Sequence, residues 1–91
     1  MLPIHWRRDA EEDLNNILTY IAERSPSGAA NLLEDIERSI YGISQNPYLY
    51  RRGRVSGTRE IVAHPNYIIV YQETLDAIEI VAILHSRQQY P

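Results

Sequence analysis

The sequence predicts a single α+β domain of order βααβββ across residues 1–91, a helical hairpin packed on a small antiparallel sheet. Three observations predict it. Apolar residues recur at helical spacing up to Asn46 and close to every second position after Pro47. One short breaker, Ser25-Pro26-Ser27-Gly28, divides the helical half. The connections in the second half are too short for a crossover, so its strands must run antiparallel as a meander.

Each element follows from local chemistry. Pro3-Ile4-His5-Trp6-Arg7 alternates weakly and predicts a short opening strand. Asp9 stands three residues before Glu12, the spacing of a capping box at a helix start. Behind it Leu14, Ile17, Leu18 and Ile21 share one helical face, and that helix should end near Arg24. Pro26 suits the first turn of a second helix, with Ser25 as its N-cap. Leu32, Leu33, Ile36, Ile40 and Ile43 line one side of this second helix, and Glu34, Asp35, Glu37 and Arg38 the other. Asn46-Pro47 stops it, because the residue before proline is pushed away from helical angles.

Residues 48–57 read as loop or sheet edge. Thr58 to His64, Tyr67 to Gln72 and Ile78 to His85 read as strands, with turns at Pro65-Asn66 and near Thr74 to Ala77. Ile80, Val81, Ala82, Ile83 and Leu84 are all apolar, so both faces of the last strand are apolar there. Two helices cover only one face of a small sheet. The chain's own tail, a second copy or another protein must shield the other face, and a partner is the preferred reading.

Length and composition narrow the function. A chain of 91 residues holds one domain with a modest core, one that gains from a bound partner. No apolar run approaches the ~20 residues that span a membrane, and the N-terminus lacks the apolar stretch of a secretory signal. Cysteine is absent, which removes disulfides and thiolate metal sites; the cytoplasm is the expected compartment. The net charge of −3 argues against a general nucleic-acid binder. All nine basic residues are arginine. Residues 1–46 carry eight acids against four arginines and residues 47–91 four acids against five, with Arg51, Arg52, Arg54 and Arg59 close together. Arginine suits bidentate capture of carboxylate or phosphate.

Other classes fall away. Gly53-Arg54-Val55-Ser56-Gly57 has the spacing of neither a nucleophile elbow nor a phosphate loop. The three histidines lack metal-ligand spacing, no Ser/His/Asp order stands out, and no cofactor is expected.

Several linked segments resemble the RelE/ParE toxin superfamily. They are Gly57-Thr58-Arg59-Glu60-Ile61-Val62, His64-Pro65-Asn66-Tyr67-Ile68-Ile69-Val70-Tyr71, and Ile83-Leu84-His85-Ser86-Arg87-Gln88-Gln89-Tyr90-Pro91. Asn46-Pro47-Tyr48-Leu49-Tyr50 and the opening strand with its acidic helix start also fit, so the resemblance runs over nearly the whole chain. It is especially similar to the short ParE-type toxins paired with PaaA-type antitoxins. The resemblance implies the same βααβββ fold and the toxin half of a type II toxin–antitoxin system. It also implies a cognate antitoxin whose C-terminal segment, disordered alone, wraps the toxin. ParE-type members poison DNA gyrase without a known chemical step, whereas RelE-type members cleave mRNA on the ribosome.

The residues have to separate these two. RNA cleavage needs a base, a cation on the phosphate and an acid for the leaving oxygen. Here the set is Glu60 or His64 as base, Arg59 and Arg87 on the phosphate, and His85 as acid. The family's nucleases place an arginine near the start of the middle strand, where this chain has Ile68, and tend to carry a lysine-rich or acid–base helix or loop, whereas this chain has no lysine. Arg59 and Glu60 face opposite ways on a strand, which favours ion pairs or solvent over one catalytic unit. His64 reads as a turn cap before Pro65, and Tyr67 and Tyr71, on one strand face, as core or sheet-covering aromatics. His85 and Arg87 end a strand where a partner carboxylate could dock. The expected function is a gyrase-binding toxin with no catalytic residue, and with Arg59, Glu60, His85 and Arg87 as candidate target or antitoxin contacts. The alternatives are a RelE-type endonuclease and a detoxified binding module.

Overall fold

A computed structural model describes residues 2–91. The elements are β1 (Ile4–Trp6), α1 (Arg8–Ala22), α2 (Pro26–Gln45), β2 (Arg51–Arg52), β3 (Arg59–His64), β4 (Tyr67–Glu73) and β5 (Ile78–His85). The strands form one sheet in the order β1-β5-β4-β3-β2. The expected order holds, with β2 as a two-residue addition inside the stretch read as loop or edge. The antiparallel meander expected of the last three strands is present, and the sheet as a whole is mixed. β2 to β5 pair antiparallel, but β1 pairs parallel with β5, Ile4 opposite Ile78 and Trp6 opposite Ile80. The helical hairpin is the long crossover that parallel pairing requires.

The helices form as their sequences dictate, with one exception. Ser25 caps α2, its Oγ accepting from the Gly28 backbone N–H at 3.0 Å, and Pro26 occupies the first turn. The Asp9–Glu12 capping box does not form. Arg7 occupies the N-cap position in extended conformation with no side-chain cap. Its N–H still belongs to the sheet, donating to Ile80 O at 3.0 Å. The strand therefore turns directly into the helix, and Asp9 and Glu11 lie in its first turn, where their charge favours the helix dipole.

One face of the sheet carries the main core. Leu32, Ile36 and Ile43 of α2 meet Ile69, Tyr71, Ile78, Ile80 and Ile83, with Leu14, Ile17, Leu18 and Ile21 of α1 packed around them. Truncating a buried isoleucine such as Ile36 in such a cluster costs about 2–5 kcal/mol.

A β-bulge explains the apolar run on the last strand. Val70 pairs with Ala82 while Tyr71 pairs with Ile80, so Val81 is the extra residue. It shifts the alternation by one. Ile78, Ile80 and Ile83 thereby face the helices, while Ala82 and Leu84 join Val70 on the second face. Val81 and Tyr90 pack over that second cluster. Of the three covers expected for this face, the chain's own tail supplies one, bringing Tyr90 across it. Beyond Trp6, where β1 stops, the Ile83 N–H would face an open edge. It donates instead to Asp13 Oδ2 of α1 at 3.0 Å.

Candidate functional site

The candidate residues fall at two ends of the sheet. At the first end, the chain leaving α2 is pinned twice. The Tyr71 hydroxyl, at the end of a fully buried side chain, donates to Pro47 O at 2.6 Å. Burial, with a smaller push from the Glu73 charge, raises its pKa to about 12. The Arg59 guanidinium binds Glu73 Oε1 at 2.9 Å through Nε and Tyr50 O at 2.8 Å through Nη1. It also lies 5.5 Å from the centroid of the Tyr48 ring.

Glu60, its neighbour on β3, points to the opposite face and is only 4% exposed. Its carboxylate accepts from Arg54 Nε at 2.9 Å, Arg54 Nη2 at 3.2 Å and the Arg54 backbone N–H at 3.1 Å. Arg51 Nη2 adds a fourth donor at 3.3 Å. Burial pushes Glu60 upward, but the Arg54 bonds and the charges of both arginines outweigh it and hold the carboxyl below its usual range. The tight β2–β3 connection makes this cage possible. A Cβ on Gly53 would run into the side chain and backbone of Thr58, and Gly57 has φ +86°.

The second end gathers His64, Tyr67, His85 and Arg87. Tyr67 pairs with His64 on one side and His85 on the other. Its ring centroid is 5.9 Å from that of His64 and 5.5 Å from that of His85. Each imidazole is held by a local turn. His64 Nδ1 accepts from the Asn66 N–H at 3.0 Å, and His85 Nδ1 accepts from the Arg87 N–H at 3.1 Å. Each Nδ1 is therefore unprotonated, and Nε2 carries the hydrogen of the neutral ring. Arg87 is exposed, and its guanidinium has no partner among the described residues.

The register separates the two ends. Arg59 lies level with Tyr71 and Ile80, whereas His85 lies level with Tyr67. Four residues along the strands and two strand spacings across place Arg59 and His85 roughly 16 Å apart. The structure thus brings His64, His85 and Arg87 together, but not with Arg59 or Glu60. Arg54 and Arg51, the partners that define Glu60's surroundings, went unrecognised in the sequence. Their presence in the arginine cluster was visible, but their register against Glu60 was not. No group of three metal-ligating side chains occurs among the described residues, and none of their helices is long and apolar enough to cross a membrane.

With this geometry in hand, comparison with known proteins decides the family. Residues 4–90 match the family described as the ParE toxin of the type II toxin–antitoxin system parDE. The chain belongs to the ParE toxin family. A Sinorhizobium fredii relative, Y4kP, named as a proposed toxin, is 35% identical over 89 residues, 97% of this chain and 92% of that protein. The chromosomal ParDE toxin–antitoxin system from P. aeruginosa contains a chain of the same fold, with TM-score 0.81 and 22% identity over 93% of this chain and 96% of that one. The YoeB dimer of Staphylococcus aureus is more distant, with TM-score 0.66 and 17% identity over 98% of each chain. This ParE-family toxin therefore shares its fold with both structures, and its own residues must indicate the mode of action.

Proposed function

We propose that this toxin inhibits growth by binding DNA gyrase, without catalysing a reaction of its own, and that a cognate antitoxin neutralises it in the cytoplasm. The observation that carries this reading is the division of the would-be cleavage groups. Glu60, the first candidate base, is buried in a cage of four donors and has no free lone pair directed at solvent. Arg59, the first candidate phosphate clamp, is spent on Glu73 and two backbone carbonyls.

The rival, ribosome-dependent mRNA cleavage, would have to use His64, His85 and Arg87 at the other end. The two histidines stand on strands separated by Tyr67, about 9.6 Å of backbone spacing. The Tyr67 ring, 5.9 and 5.5 Å from the two imidazoles, stands between the candidate base and acid, which supports binding over cleavage.

In this reading the four candidate contacts divide. His85 and Arg87 are exposed and offer an Nε2 donor and a guanidinium to an antitoxin carboxylate. Arg59 and Glu60 hold the segment from Pro47 to Arg54 in shape. The open apolar groove between the helices, lined by Leu18, Ala22, Ala29 and Leu33, suits an amphipathic antitoxin segment that folds as it binds. The P. aeruginosa relative is part of a toxin–antitoxin system, which supports the partnership.

A gyrase supercoiling assay with purified toxin tests the proposal. The expected result is inhibition with trapped DNA cleavage, relieved by antitoxin. No effect at micromolar concentrations of folded toxin, together with cleavage of ribosome-bound mRNA, would put the RelE-type mechanism in its place.

A further inference from the structure

The arginine end contains one residue whose placement costs the fold without a visible return. Arg51 and Arg54 share Glu60, and Arg59 holds Glu73. Arg52 alone of these four has no carboxylate partner among the described residues. It also sits directly opposite Arg59 in the β2–β3 ladder. Like charges directly opposite across an antiparallel pair destabilise it. Positions that break a local rule without local compensation are where function is expected.

The surroundings of Arg52 have the make-up of a protein-binding surface. β2 is the outer strand of the sheet. Gly53 N donates to Thr58 O at 2.8 Å, so the neighbouring pair Arg52–Arg59 is the non-bonded kind and Arg52 directs its N–H and C=O outward. On the connection leading into this strand, Tyr48 is 69% exposed and Leu49 72% exposed. Arg51 keeps more than half of its side chain in solvent as well. Exposed tyrosine and arginine, with an aliphatic side chain on the same connection, are residue types that carry interface energy.

We propose that Arg52, Tyr48 and Leu49 grip an acidic segment of the target protein, a carboxylate on Arg52 and a flanking apolar side chain on Tyr48 and Leu49. This rests on the gyrase reading above and assigns its contact surface. Charge chooses the occupant. The chain carries −3 overall, and Arg52 is the one uncommitted cation of the cluster. Nucleic-acid affinity is built from many neutralised phosphates, which this patch does not supply. A carboxylate needs only the one fork-shaped donor set that Arg52 offers. An exposed leucine finds a counterpart in a polypeptide and none in a phosphate backbone.

Binding of purified gyrase, free of DNA, to wild-type toxin and to the Arg52→Glu, Arg52→Lys and Leu49→Ser variants tests the assignment. Arg52→Glu is expected to weaken binding by tenfold or more, and Arg52→Lys and Leu49→Ser by a smaller factor. Melting separates binding from folding. Arg52→Glu replaces a like-charge pair opposite Arg59 with an opposite-charge pair, so its Tm should equal or exceed that of the wild type. Binding within twofold of wild type for Arg52→Glu overturns the inference while leaving the gyrase reading intact. So does a loss of binding matched by a drop in Tm, which marks Arg52 as structural. Wild-type binding that appears only when DNA is present overturns it in favour of a phosphate contact. No wild-type binding under either condition sinks the gyrase reading, and the surface assignment with it.

Discussion

The two ends of the sheet use their polar groups in opposite ways. At the arginine end, all the charge except that of Arg52 is consumed internally: Glu60 is almost completely buried among four donors, and Arg59 is divided between Glu73 and two carbonyls. At the histidine end, the polar groups are held only by adjacent turns, and His85 and Arg87 face solvent. An ionisable residue in a functional-looking pattern is therefore no guide to function until its partners are known. The caged end fixes the shape of the chain between α2 and β3, and the open end leaves groups for another molecule.

The largest effect that tests this contrast is at Glu60. Glu60→Ala removes a buried carboxylate and its charge-assisted bonds to two partly exposed arginines and should cost about 2 kcal/mol, read by chemical denaturation. A loss below about 1 kcal/mol would mean that the cage is no more structural than the other end. The pH dependence has a definite sign. Glu60 is depressed in the folded state, so its contribution is fully present above its ordinary value near 4.5 and is lost as pH falls through the lower folded value. Glu60→Gln should flatten the acid side of the stability profile.

Tyr71→Phe comes next. It deletes the bond to Pro47 O and should cost about 1 kcal/mol. The phenol's pKa is raised from 10.0 to about 12, so its contribution is complete below 10 and is lost as pH rises through about 12. The variant should accordingly be less sensitive to alkaline unfolding than the wild type over that window. An unchanged alkaline slope would show that the hydroxyl is not shielded as described.

The smallest stability effects belong to the open end. His85→Ala and Arg87→Ala should each change stability by less than about 0.5 kcal/mol, while weakening antitoxin binding measured by calorimetry. If either destabilises the fold as much as Glu60→Ala, the division between the two ends is wrong.

Much of this architecture is legible in the sequence because it is written in local periods. The apolar faces of α1 and α2, the Ser25 cap with Pro26 behind it, and the spans of β3, β4 and β5 all follow from spacing within a few residues. What escapes depends on distant pairing. The parallel match of β1 to β5 and the Asp13 bond to Ile83 join residues more than 60 positions apart. Five consecutive apolar residues do mark a strand covered on both faces, but the Val81 bulge that shifts which of them face the helices is not visible in the spacing. Asp9 and Glu12 have capping-box spacing, but the sheet claims the Arg7 N–H and starts the helix earlier. Of the candidate site, the opposite orientation of Arg59 and Glu60 follows from strand alternation. The burial of Glu60 does not, since a lone carboxylate in a strand reads as a solvent group until β2 delivers Arg51 and Arg54 to it.

The central claim is that this ParE-family toxin acts by occupying gyrase and turns nothing over. It is tested most directly by titrating the toxin into supercoiling reactions at several gyrase concentrations above the dissociation constant. Half-inhibition that rises in proportion to gyrase, approaching about half a toxin per binding site, is the predicted result. Inhibition by a small fraction of an equivalent, growing with incubation time, would contradict the claim and point to a catalysed reaction.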